Sequence, residues 1–375
     1  MRLTITKKET VFIAVFIILI AILILIPTGF ARQIYINSEG AEARVIEVDN
    51  SNIYVNGIVQ QGDQSCAIEI LTGAHKGERA EAINLLAGKM DQDKLFKPGD
   101  IAWVIIENRP DGSIVFVNMV EHYRVGKELL LVGLFAALII IFSGFTGIRT
   151  LLSFVFTLLA IWKLLIPLML KGYSPVLIAL GVGCSITIVT LVLVAGLSKK
   201  AYAAIGGAVA CSLITCFLSV VFTSYFGIHG AVMQWSESLL YSGYQHLDLT
   251  EVYMASVYLA CSGAILDLSI DISAALDELV THKPDIGRSA LIRSGLNIGK
   301  SVVGTQTTTL LLAYLGSYLS VMMVYMAQAT PLMSIFNAKT IASEVLLTFV
   351  GCIGLVLVSP VTSLIAASLY SLKPT

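Results

Sequence analysis

Charge is what this sequence has least of. Its 24 Lys and Arg and 25 Asp and Glu make up 13% of 375 residues, where a soluble domain carries about a quarter. With 56% hydrophobic residues and a mean hydropathy of +0.84, that shortage excludes an ordinary soluble fold. A formal net charge of −1 removes the electrostatic case for a nucleic-acid partner. Cysteine is sparse and unpaired in pattern: Cys66, Cys184, Cys211, Cys216, Cys261 and Cys352 contain no C-x-x-C pair. This argues against disulfides and against zinc or iron–sulfur sites. The chain also lacks a P-loop, a G-x-S-x-G elbow and an H-E-x-x-H helix, and no nucleophile–base pairing is visible. The expectation is a protein that is not an enzyme, with no catalytic residue, metal site or cofactor.

What the sequence does have is long apolar runs, of the ~20 residues a helix needs to cross ~30 Å of hydrocarbon. The first, VFIAVFIILIAILILIPTGF at 11–30, follows Lys7 and Lys8. Its core is longer than a signal-peptide core and no A-x-A pattern follows, so it is expected to be a retained anchor. Further runs cover 128–147, 150–170, 174–197, 201–226, 252–273, 303–326 and 345–369. The predicted fold class is therefore an α-helical polytopic membrane protein with about eight transmembrane helices, seated in the lipid bilayer.

The composition changes completely between residues 31 and 127. ARVIEV, NIYVNGIV, CAIEIL, DIAWVIIE and SIVFVNMV alternate apolar and polar residues, separated by the turn-forming DNSN, QQGDQS, KPGD and RPDG. They predict a small β-rich domain, a barrel or sandwich, interrupted by one helix around 79–89. The expected organisation is 1–30 as tip and anchor, 31–127 as β-domain, and 128–375 as a seven-helix membrane domain with a cytoplasmic loop at 274–302.

Basic residues test the topology, because short cytoplasmic loops collect Lys and Arg. With the N-terminus inside, the cytoplasmic segments hold Arg2, Lys7, Lys8, Arg149, Lys199, Lys200, Lys283, Arg288, Arg293, Lys300 and Lys373, and the short outer loops only Lys171 and Lys339. This places both termini in the cytoplasm and the β-domain outside, where a protein partner could dock.

Against so apolar a background, GAILDLSIDISAALDELV at 263–280 is conspicuous. On a helix Asp271 lies about 40° and Glu278 about 20° from Asp267 around the axis. An ionisable group inside the hydrocarbon is costly unless it faces protein or water, which makes Asp267 and Asp271 functional candidates. The bland alternative is that the helix has already left the membrane, which is the expectation for Glu278. The next span begins IGKSVVGTQTTTLLLAYLGSYLS, and Ser301, Thr305, Thr308 and Thr309 share one face with Gly316. That face either packs closely against another helix or lines an ion or solute path beside the two aspartates. DIGRSALIRSGLNIGKS before it has spacing suited to an interfacial helix. Lys163, the deepest basic residue, either snorkels to the surface beside Pro167 or pairs with a buried acid on the path. In QHLDLTEV, His246, Asp248 and Glu251 could suggest a metal site, but Asp248 and Glu251 fit a helix capping box better.

Three stretches carry a family likeness. GAILDLSIDISAALDEL, LIRSGLNIGKSVVGTQTTTLLLAYLG and GCIGLVLVSPVTSLIA resemble the bacterial YibE/F-like family of integral membrane proteins. The matching positions are Gly263, Ala264 and Asp267; Gly304, Thr305, Thr307, Thr309, Leu310, Leu312, Ala313 and Tyr314; and Pro360 and Thr362. LTGAHKGE, KPGD and EHYR look like that family's N-terminal half. The family pattern places an acid where Ser301 stands and an asparagine where Thr308 stands, so a charge-dependent role would rest on Asp267 and Asp271. The resemblance implies a bacterial membrane protein and says little about activity. A weaker similarity, to the membrane halves of SecD/SecF and RND-type proteins, would imply proton-driven conformational work.

The function expected from these features is a secondary transporter or permease for a small solute or ion, coupled to protons or cations through Asp267 and Asp271. The alternative of another class is a non-transporting scaffold of the cell envelope whose outer domain docks a partner.

Overall fold

A computed structural model of the chain describes residues 7–30 and 37–371, with side chains described from residue 13. It divides into two compact units, Ala31–Leu138 and Met1–Phe30 with Ile139–Thr375.

In the first unit, β1 (Ser38–Asn56), β2 (Val59–Ile70), β3 (Arg79–Ala87), β4 (Ile101–Asn108) and β5 (Ile114–His122) close into a barrel in the order β1-β2-β3-β5-β4. Every neighbouring pair is antiparallel except β3 with β5. Closure of five strands in the manner of an OB-fold leaves no long free edge. β1 serves both sides of the seam: Ser38–Arg44 pairs with β4 and Ala43–Asn56 with β2. The two-residue link between β1 and β2 begins at Gly57, whose φ of +61° is the left-handed value such hairpins need.

Two expectations are corrected here. DNSN and QQGDQS are not turns between strands. They lie within β1 and β2, pair with each other, and form a bulge where the strands bend, with Gly62 at φ +117° and the Asp49 carboxylate accepting from the Ser51 amide. RAEAINLLA is strand β3 and not a helix. Its good helix formers are overridden by burial of alternate residues: Ala82, Asn84 and Leu86 point into the barrel. A polar Asn84 in the inward series and apolar Ile83 and Leu85 in the outward one hide the alternation from a sequence reading.

Phe96 plugs one end of the barrel from the loop between β3 and β4. Fully buried Gln64 holds that loop: its Nε2 donates to Phe96 O at 3.0 Å and its Oε1 accepts from Phe96 N at 3.0 Å. Asn84, its register partner, donates to Gln64 Oε1 at 3.1 Å and to Lys94 O at 2.6 Å.

Cys66 sits in the barrel core, and burial pushes its thiol up to about 11. The folded barrel therefore holds the proton that an unfolded chain loses near pH 9. The resulting stabilisation is complete below pH 9 and declines as pH rises towards 11. In the folded protein at pH 8, Cys66 will resist iodoacetamide and label only on unfolding, as peptide mapping by mass spectrometry would show. Rapid native labelling would contradict this.

The second unit is helical: α1 (Lys7–Leu25), α2 (Val125–Ser143, which begins in the first unit), α3 (Phe145–Ala160), α4 (Ile166–Leu170), α5 (Pro175–Ala195), α6 (Lys199–Phe226), α7 (Ser236–Tyr241), α8 (Leu249–His282), α9 (Arg288–Ser317), α10 (Leu319–Ala327), α11 (Leu332–Asn337) and α12 (Lys339–Ser371). Six are long and apolar enough to cross a membrane among the described residues: α2, α3 with its continuation to Leu170, α5, α6, α8 and α12. Helices α9 and α10 make a seventh if taken as one span bent by 61°. The apolar part of α1, Ile13–Leu25, is shorter than these.

The stretch 274–302, expected as a loop with an interfacial helix, is helical except at 283–287. Helix α8 runs 34 residues, or ~51 Å, past the hydrocarbon thickness. The first part of α9 packs on α12. Gly295 and Gly299 abut Ser363 and Ser359, so α9 presses backbone-close against α12. The same device joins α12 to its other neighbours, with Gly207 of α6 on Thr362, and Gly351 and Gly354 of α12 on Cys261 and Thr215. Small residues at helix contacts replace the hydrophobic driving force that lipid does not supply.

Candidate functional site

Helix α8 is built to hold a two-sided face. Ile265, Leu268, Ser269, Ile272, Ser273 and Leu276 are buried against its neighbours. Gly263, Asp267, Asp271, Ala274 and Glu278 form the opposite, exposed stripe at spacings of three and four. Asp267 and Asp271 thus lie one turn apart, ~6 Å along the axis, on the outward side of a helix with the length to span a bilayer. Neither forms an ion pair among the described residues.

The hydroxyl face of α9 is also turned outward: Ser301, Thr305, Thr308 and Thr309 are exposed, as is Gly316. The packing side of α9 is the other one, through Leu291, Gly295, Gly299 and Leu310. Each hydroxyl is satisfied within its own helix: Ser301 donates to Ile298 O, Thr305 to Val302 O, Thr308 to Gly304 O and Thr309 to Thr305 O, at 2.7–3.0 Å. No hydrogen bond joins these hydroxyls to Asp267 or Asp271 among the described residues.

The other acids of the stretch have structural partners. Asp277 accepts from the Tyr370 hydroxyl at 2.7 Å, and Glu278 faces His282 one turn on at 2.8 Å.

Lys163 is placed elsewhere. Its Nζ donates to Ile26 O at 3.1 Å, just beyond the C-terminus of α1, where a cation complements the helix dipole. It lies in Ile161–Leu165, a single π-helical turn between α3 and α4. The cause is Pro167, which has no N–H to give the Lys163 carbonyl four residues back, so the ladder widens by one residue.

Asp248 caps α8 through Thr250 N at 2.8 Å and Glu251 N at 3.1 Å. The box is left open, because Glu251 accepts from Ser174 Oγ at 2.8 Å.

A sequence reading passes over Glu344, near the start of α12, which faces a cavity beside the α9–α10 junction. Its signal was isolation: it is the only acid after Asp285.

Among the described residues, six or seven helices of membrane-spanning length with small-residue contacts between them, beside a small β-barrel, indicate a membrane protein. Residues 131–372 match the model of the YibE/F-like protein family, and the chain belongs to that family. Neither the curated proteins nor the solved structures hold a match to it.

Proposed function

We propose that the protein is a cation-coupled secondary transporter for a small solute or ion in the bacterial cytoplasmic membrane, with both termini cytoplasmic and the barrel outside. The observation that carries this reading is the pair Asp267 and Asp271, one turn apart on α8 and without a basic partner among the described residues. A carboxylate in the apolar length of a helix is costly unless water or protein covers it. The hydroxyl stripe of α9 offers neutral oxygens for a path alongside, and the distribution of Lys and Arg supports the orientation. In proteoliposomes Asp267→Asn should lower coupled flux at least tenfold while the protein still inserts and elutes as wild type. Unchanged flux would sink the mechanism.

A second reading, a scaffold that docks a protein through the barrel, is favoured by one feature. Tyr54, Val55, Ile58, Leu85 and Met90 are all more than 65% exposed around the β1–β2 hairpin and the end of β3, and an exposed apolar patch often marks an interface. Under that reading Ile58→Glu would abolish the cellular phenotype and Asp267→Asn would leave it intact.

A further inference from the structure

We infer that the cavity at the α9–α10 break is a binding site for a bulky organic monocation, held by the Glu344 carboxylate inside an apolar and aromatic wall. The break falls at Tyr318, directly after Gly316–Ser317, and such a pair is a usual cause of a sharp bend. Interrupted helices in membrane proteins persist where the interruption lines a cavity, and ligand sites gather there. Here α9, α10, α11 and the start of α12 line an open-sided cavity of about 430 Å³, a size that suits a small organic ligand.

Leu315, Met322, Tyr325 and Phe336 form much of the wall, and among the described residues Glu344 is the only charged side chain lining it. Tyr318 lines the same cavity as that carboxylate. No Lys or Arg pairs with Glu344 among the described residues, and Lys339, on the same helix, is exposed. A carboxylate facing an apolar cavity is relieved by protonation, by hydrogen bonds or by a positive charge brought to it, and the last of these makes it a cation site. The lining supplies one carboxylate, two phenols and Thr348, so a bare hard cation would need water to complete its six or more oxygens against an otherwise apolar wall. A cation carrying apolar groups matches both components, since its substituents meet Leu, Met and Phe while its charge meets Glu344 and the tyrosine faces.

This site stands independently of the transport reading, because it is tested by binding alone. Tetraphenylphosphonium and tetraphenylborate share a shape and differ in the sign of their charge. By equilibrium dialysis with the purified full chain in detergent, tetraphenylphosphonium should bind saturably and tetraphenylborate should not. Glu344→Gln should weaken the cation at least tenfold. Leu315→Trp, which fills the cavity, should abolish its binding with an unchanged elution profile. Equal binding of the two ions, or affinity within twofold of wild type in either folded variant, would overturn the assignment. The comparison of the two ions on the wild-type chain decides the matter even if a variant fails to fold.

Discussion

Gly299→Val is expected to destabilise the membrane unit by about 3 kcal/mol or more, the upper end for overpacking a close contact. A Cβ at Gly299 would run into the Oγ and Cβ of Ser359, and one turn away Gly295 meets Ser363 in the same way. Serine is too short to swing aside, so α9 must retreat from α12 along the whole seam. The measurement is the thermal midpoint of the detergent-solubilised chain, followed by size exclusion. A loss of more than 10 °C or of the monodisperse peak is the expected result, and a midpoint within 2 °C of wild type would show that the seam is looser than described. Ser359→Gly combined with Gly299→Ala should recover much of the loss that Gly299→Ala alone produces, because the colliding atoms are gone.

The second large effect is in the barrel. Gln64→Leu keeps the volume but strands the amide and carbonyl of Phe96 and one hydrogen bond of Asn84. Each buried group left without a partner costs about 1–3 kcal/mol, so a total near 4 kcal/mol is a large part of the stability of a domain this small. The loop that carries the Phe96 plug should loosen first. Hydrogen exchange over residues 88–100 should accelerate at least a hundredfold relative to the strands, and unchanged protection there would refute the role given to Gln64. Asn50→Ala, which removes only the outer contact of Gln64 at 2.8 Å, should have a much smaller effect.

How far the fold was legible depended on how much of the pattern was local. The apolar runs announced themselves by length alone, and strands β4 and β5 as short runs rich in β-branched and aromatic residues between turn residues. β3 was hidden because RAEAINLLA mixes apolar residues on both faces, and the bend shared by β1 and β2 because DNSN and QQGDQS use the residues that make turns. The region 274–302 read as a loop because its charges suggest exposure. Its packing runs through Gly295 and Gly299, whose value lies in what another helix brings to them.

The sequence by itself determined the class of protein, the alternation of a β-rich segment with membrane helices, the family, and the candidacy of Asp267 and Asp271. These follow from composition, period and motif, which are properties of neighbouring residues. Only the tertiary structure decided that the hydroxyl face of α9 turns away from α12, that Lys163 caps α1, and that Glu344 faces a cavity at a helix break. Each of those depends on which elements meet across 64 to 137 residues or at a bend, and hydrophobic patterning along the chain does not encode which face of a helix its neighbours will cover.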